Sequence, residues 1–268
     1  MDSIRDSLKK EDIVACIELE LNADMNNSLT VLLVEGTNDI VLCRRIFEEN
    51  VVIYESFSGK AGLHDLMKEA SLSDSRVIAV RDKDYMDINN LPERMFVYDA
   101  SCMEMMLLKN EDVINGFCSV YCGVKKGGRD YLHNAMKALS PYSILRKKSE
   151  EQELRINFDR GLGGFIQEGE CFQVDELFRK VGITDELGEA CKTEAALLGT
   201  EELYDITNGH DICRYLGCTA REGKGKNLGE ERVRNILICS YRKEDFKKTK
   251  LYGSIKEYQS RYGLCFVC

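Results

Sequence analysis

The sequence contains no tryptophan, two prolines and three histidines in 268 residues. So few prolines leave little scope for rigid linkers. No apolar run approaches the ~20 residues of a membrane-spanning helix, which argues against an integral membrane protein. The opening segment MDSIRDSLKKEDIV lacks the apolar centre of a signal peptide, so a cytoplasmic protein without membrane partners is expected. No G-x-x-x-x-G-K-[ST] motif occurs, and GKGKNLG (223–229) lacks its spacing, so the chain carries no nucleotide-binding loop of that kind. Internal repeats and low-complexity segments are also missing.

What is present is a globular composition, 44% hydrophobic and 31% charged, with enough length to bury a core. Cysteine is abundant, at twelve residues. The sole C-x-x-C is Cys265–Cys268, and Cys118/Cys122 and Cys213/Cys218 stand at other intervals. A structural zinc site normally needs two tight pairs, and without a secretion signal disulfides are not expected. The cysteines therefore read as free thiols serving as small hydrophobes.

The net charge of −9 is unevenly distributed. Residues 209–268 hold 13 Lys+Arg against 7 Asp+Glu, a balance of +6, so the preceding residues carry −15. Within that acidic part, Lys125, Lys126, Arg129, Lys137, Arg146, Lys147 and Lys148 are opposed only by Asp130 across 124–148. Such islands either bind a polyanion or form solvated faces.

Hydrophobic patterning divides the chain. Residues 1–28 read as a helical segment. The runs TVLLV (30–34), VVIYESF (51–57) and RVIAV (76–80) are short, β-branched and apolar, as strands buried on both faces should be. Asp39–Glu49 and Ala61–Ala70 between them have helical spacing of apolar residues, and a fourth strand is expected at Met95–Tyr98. Strand and helix in alternation predict βαβ crossovers and a parallel sheet. Beyond residue 101 the expected elements are helices, at 103–116, 130–139, 172–181, 185–198, 211–217, 229–241 and 253–262, with a flexible loop at 221–231. The expected organisation is a helical segment (1–28), an α/β domain (29–110) and a mostly helical part (111–268).

Ligands of an open parallel sheet bind at the carboxyl ends of its strands. Those ends carry Glu35-Gly36 with Asp39, Ser58-Gly59-Lys60, and Arg81-Asp82-Lys83-Asp84. Were the backbone extended, Asp82 and Asp84 would point to the same side. With Glu35 they could then hold Mg²⁺, which takes a few carboxylate oxygens plus water at about 2.0–2.1 Å. Gly36 would allow close approach of a phosphate or a sharp turn. Each acid alone could equally be a solvated strand-end residue.

LLVEGTNDIVLCRRIF and VIAVRDKDYMD together resemble the two signature segments of Toprim domains, which pair a glutamate-glycine after strand one with a D-x-D after strand three. YDASCMEMMLL (98–108) is similar to a region of the OLD-like branch, including the stand-alone AriB-type effectors of PARIS anti-phage systems. Here Met105 replaces the usual asparagine. The resemblance covers roughly residues 29–100 and implies a Rossmann-like parallel sheet flanked by helices, with a mostly helical extension. It implies that Glu35, Asp39, Asp82, Asp84 and Glu104 are metal ligands for Mg²⁺, with Mn²⁺ as a substitute. Glu35 would also act as a general acid or base. For Glu104 the competing reading is an acid at a helix N-terminus, favoured by the dipole. Lys60 and Lys83 would stabilise charge on a phosphate or only neutralise nearby acids. His210, in NGHDICRYLG, stands where that group usually has lysine, and reads first as helix-start chemistry.

The resemblance further implies an endonuclease acting on RNA, tRNA in the first place, as the toxic effector of a phage-defence system. It would be held by an AriA-like ATPase partner and would be a homodimer once active. Lys125, Lys126, Arg129, Lys147, Lys148, Lys224 and Lys226 would then contact the nucleic acid through its phosphates, with Tyr121, Tyr131 and Tyr142 as core residues or stacking platforms. An OLD-type DNA nuclease or nickase, and a catalytically inactive binding or sensor subunit, are the alternatives.

Overall fold

The computed structural model describes residues 9–86, 88, 91–124, 127–158, 162–166, 172–222 and 225–268. In chain order, α1 (Lys10–Ala23), β1 (Thr30–Val34), α2 (Thr37–Ile46), β2 (Val51–Glu55), α3 (Gly59–Met67), β3 (Val77–Arg81) and β4 (Met95–Val97) come first. The helices α4 (Met103–Lys109), α5 (Glu111–Phe117), α6 (Gly128–Glu151), α7 (Val174–Lys180), α8 (Asp185–Ala196), α9 (Thr200–Ile206) and α10 (Gly209–Thr219) follow. After them come the short strands β5 (Arg221–Glu222) and β6 (Lys226–Asn227), then α11 (Glu230–Ser240), α12 (Lys243–Phe246) and α13 (Lys250–Tyr262). The protein is α/β, with a helical part after its parallel sheet.

Contacts divide the chain into two units. The first comprises residues 1–83, 87–99 and 242–268, and the second 84–86 and 100–241. This differs from the division expected at residues 28 and 110. Helix α1 joins the sheet unit because Ile13, Ile17 and Leu21 pack into one core with Val31, Leu33, Leu63, Leu66, Val77 and Ala79. The segment from residue 242 onward joins it through Phe246 and Tyr258, whose rings lie 5.9 Å from Phe47 and 5.7 Å from Phe96.

In the sheet unit the strand order is β2-β1-β3-β4, and every pairing is parallel. All five residues of β1 and of β3 are buried, the condition the unbroken apolar runs implied. Side chains alternate across a strand, so Val31, Leu33, Val77 and Ala79 face α1 and α3, and Leu32, Val34, Ile78 and Val80 face the other side of the sheet.

The second unit is helical. The helix expected over 103–116 is two helices, because Asn110 leaves the helical conformation and its side chain accepts from the Val113 N–H at 3.1 Å, a cap that starts a new helix. Conversely α6 runs 24 residues and passes through Pro141. Proline in a helix interior costs about 3 kcal/mol. The buried stripe of Leu132, Ala135, Met136, Leu139, Tyr142 and Leu145 outweighs it. The expected flexible loop at 221–231 contains the antiparallel pair β5–β6.

Helices α10 and α11 meet at Gly217. A Cβ there would lie 2.7 Å from the Gly229 carbonyl carbon and 3.1 Å from the Glu230 nitrogen. Both obstacles are backbone, which cannot swing aside. Gly217→Ala is therefore expected to lower the unfolding free energy of the helical unit by about 1–3 kcal/mol, the usual cost of overpacking. Urea unfolding of the variant beside the wild type checks this.

Candidate functional site

The carboxyl ends of β1, β2 and β3 lie side by side because the three strands are hydrogen-bonded neighbours in register. Beyond β1 the chain places Glu35 and then Gly36, the N-cap of α2. Beyond β3 it places Asp82. Glu35 Oε1 accepts from the Asp82 N–H at 3.2 Å, so the two acidic residues that stand 47 apart in sequence adjoin in the fold. Both are partly exposed, as a site open to solvent requires.

A cation stands beneath them. Arg81, the last residue of β3, is 3% exposed, and its Nε lies 3.5 Å from Glu35 Oε1. The same Nε donates to the Asp82 carbonyl at 3.0 Å. A buried guanidinium must be paired, and here it offsets the charge of Glu35. Sequence reasoning passed over Arg81, although the signal was present: it is the one charge closing an otherwise apolar strand.

Asp39 has a different setting. Its Oδ2 accepts from the Gly36 N–H at 3.1 Å, the reciprocal bond of an N-terminal helix cap. Its Oδ1 accepts from the hydroxyl of Tyr98 at 2.6 Å. Burial, with the charge of Asp39 beside it, pushes the Tyr98 phenol well up, so Tyr98 remains a donor. Tyr98 thus ties the segment after β4 to the N-terminus of α2, and Asp39 serves the fold whatever else it binds.

Gly36 is extended, with φ −154° and ψ 179°, and a Cβ there would meet only Asp39 Oδ2, at 3.7 Å. Neither a turn nor packing within the unit requires glycine. Lys60 is half-buried in the first turn of α3, and Lys83, also half-buried, is the last residue of this stretch of the sheet unit.

Asp84 and Glu104 belong to the helical unit. The extended backbone on which a shared side for Asp82 and Asp84 depends does not persist, because Asp84 has φ +49°, a left-handed conformation that aspartate tolerates better than most residues. Its N–H donates to the Ser101 carbonyl at 2.8 Å. Glu104 stands in the first turn of α4, as a helix-start acid would, but it is 6% exposed. Arg234 of α11 donates to its Oε1 at 2.7 Å. Arg234 also reaches Glu230 at 2.8 Å and His210 Nδ1 at 3.0 Å, and Glu230 binds His210 and Arg214 as well. His210 is thus the exposed edge of an ion-pair network in which Glu104 is the innermost acid.

The basic residues are mostly neutralised where the structure describes them. Arg129 pairs with Glu111 at 3.2 Å, Lys148 with Glu194 at 2.7 Å and Lys147 with Glu151 at 3.9 Å. Arg146 binds the fully buried Asp211 with two hydrogen bonds, at 2.5 and 2.9 Å. Arg129 also lines a cleft of about 380 Å³ with Lys109, His133 and Tyr204. Lys226 is exposed on β6. Lys125, Lys126 and Lys224 lie outside the described residues. Tyr131 and Tyr142 are core residues, and Tyr121 is half-buried against Phe117.

The donor set at the sheet edge suits a hard cation. Mg²⁺ is typically held by one or two carboxylates and completes its shell with water and substrate phosphates. Glu35 and Asp82 supply that number. Among the described residues no three of His, Cys, Asp or Glu converge closely enough to enclose an ion, so a closed all-protein cage is not what this arrangement offers. Compared with models of known protein families, with curated proteins and with solved structures, the chain matches none.

Proposed function

We propose that this protein is a Mg²⁺-dependent endonuclease of the Toprim kind that cuts RNA, tRNA in the first place, as the toxic effector of a phage-defence system. The observation that carries the reading is the adjacency of Glu35 and Asp82 at the carboxyl edge of a parallel sheet, beside a glycine that the fold itself does not require. Glu35 and Asp82 would hold the ion, and Mn²⁺ would substitute for it. Bound there, the metal supplies charge neutralisation at a phosphate and a more acidic water. Glu35 takes or returns the proton exchanged at the reacting oxygen. Lys60 and Lys83 stabilise the charge growing on the phosphate, and the N–H groups at the start of α2 favour an anion near Gly36. The resemblance adds Asp39, Asp84 and Glu104 to the metal ligands, and a cytoplasmic location, an AriA-like ATPase partner and an active homodimer to the setting.

A non-catalytic Toprim subunit is the second reading, favoured by one observation: Arg81 already offsets Glu35, so the pair is stable without a metal. Induced expression in a bacterial host, with end-mapping of small RNAs and plasmid topology from the same cultures, tests both. New tRNA ends are the expected result. Nicked or degraded plasmid with intact tRNA would transfer the proposal to DNA. Intact nucleic acids, together with no Mn²⁺ binding by the purified protein, would leave the non-catalytic reading.

A further inference from the structure

Cys265 and Cys268 are both exposed, and they bracket Phe266 and Val267, which are fully buried. The chain bends at Phe266. Gln259 of α13 sets that bend. Its Oε1 accepts from the Phe266 N–H at 3.1 Å and the Val267 N–H at 3.0 Å, and its Nε2 donates to the Val267 carbonyl at 2.9 Å. The Phe266 carbonyl accepts from the Glu48 N–H at 3.0 Å, and the Cys265 carbonyl from Asn50 Nδ2 at 2.9 Å. The backbone is thereby pinned on both sides of the bend, and the two thiols are left outside it.

Those thiols adjoin. The Glu48 carboxylate and the Cys265 thiol lie close enough to Cys268 to push its thiol up. Lys243, which pairs with Glu48, acts electrostatically on both sulfurs. Cys43, Cys102, Cys118, Cys191 and Cys213 are buried, beyond the reach of a dissolved oxidant. We propose that Cys265 and Cys268 form a reversible dithiol–disulfide site, oxidised by exchange with a low-molecular-weight disulfide. The thiolate of one cysteine attacks a sulfur of the incoming disulfide, giving a mixed disulfide and releasing one small thiolate. The second cysteine, after losing its proton, attacks the protein-side sulfur, closing the Sγ–Sγ bond and releasing the other small thiolate. The protein gives up two protons and two electrons, and the small disulfide becomes two thiols. Because the two cysteines stand three residues apart on a pinned backbone, the closing step is intramolecular and fast relative to a second collision. The site does not depend on the nuclease reading.

The test exposes the full chain to oxidised glutathione, blocks remaining thiols with iodoacetamide and digests with trypsin. Cleavage after Arg261 isolates the peptide beginning at Tyr262, which holds Cys265 and Cys268. The expected peptide is two hydrogens lighter than the reduced form and carries neither alkyl group nor glutathione. The exposed Cys16 and Cys239 should show alkyl or glutathione adducts instead, and Cys265→Ser should trap glutathione on Cys268. Two alkyl groups on the wild-type peptide at the most oxidising ratio would overturn the proposal. So would stable glutathione on either cysteine of the wild-type peptide, or chain dimers linked through these residues on a non-reducing gel.

Discussion

Glu35→Gln is expected to reduce nucleic-acid cleavage by about a thousandfold or more, the scale of losing an essential electrostatic group at a phosphoryl-transfer site, while the protein stays folded. The choice of glutamine follows from the geometry. Glu35 Oε1 accepts from the Asp82 N–H, and the amide oxygen of glutamine can keep that bond. Neutralising the carboxylate weakens its contact with the buried Arg81, so the stability cost should be about 1.5–3 kcal/mol, the range for a hydrogen bond to a charged group. Alanine would leave the buried Arg81 without one of its partners and confound loss of activity with loss of fold. Cleavage, Mn²⁺ affinity and urea unfolding should be measured on the same preparation. Retained cleavage or unchanged metal affinity in a folded Glu35→Gln protein would remove this residue from the chemistry.

Arg234→Leu is expected to destabilise the helical unit by about 3–5 kcal/mol, the cost of removing one partner from a buried ion pair. Arg234 and Glu104 have side chains only 7% and 8% exposed. Without the guanidinium, the buried Glu104 carboxylate loses that charge partner. Pairing the change with Glu104→Leu should recover much of the loss, since two apolar side chains can replace a buried pair. Urea unfolding of the two single variants and the double variant measures the coupling. Single and double variants of equal stability would show that Glu104 has another charge partner.

The same network gives the unit an acid limit. Burial pushes the Glu230 carboxyl up, but hydrogen bonds from His210, Arg234 and Arg214 together outweigh it and bring the group down to about 2. A depressed carboxylate contributes stability that is full above its unfolded pKa and is lost as pH falls through the folded one. The contribution of Glu230 should therefore fade from the ordinary carboxylate range down to about pH 2. In Arg234→Leu the folded value should be less depressed, so the contribution should be smaller and its fading should end at higher pH, which acid unfolding followed by circular dichroism would read.

Much of the sheet unit was legible in the sequence. TVLLV coincides with β1, and RVIAV is displaced by a single residue from β3. Strands buried on both faces leave an unbroken apolar signature that needs no tertiary context. The helical part was less legible. A side-chain cap at Asn110 outweighed a continuous helical pattern, and a buried stripe carried α6 through Pro141, where local propensity argued for a stop.

The site divided in the same way. Glu35 and Asp82 could be placed together from the sequence, because parallel pairing of β1 with β3 brings their carboxyl ends into register and each acid follows its strand directly. Three features were decided only by the tertiary structure. Arg81 offsets Glu35 because a guanidinium buried at a strand end must find a carboxylate. Asp39 and Glu104 are engaged by Tyr98 and Arg234, partners 59 and 130 residues away, and no local pattern specifies partners at such separations. Gln259 holds the backbone of Phe266 and Val267 between the exposed Cys265 and Cys268, a constraint that the C-x-x-C spacing alone does not show. Local hydrophobic order fixes which segments are buried, and long-range packing fixes which charges meet.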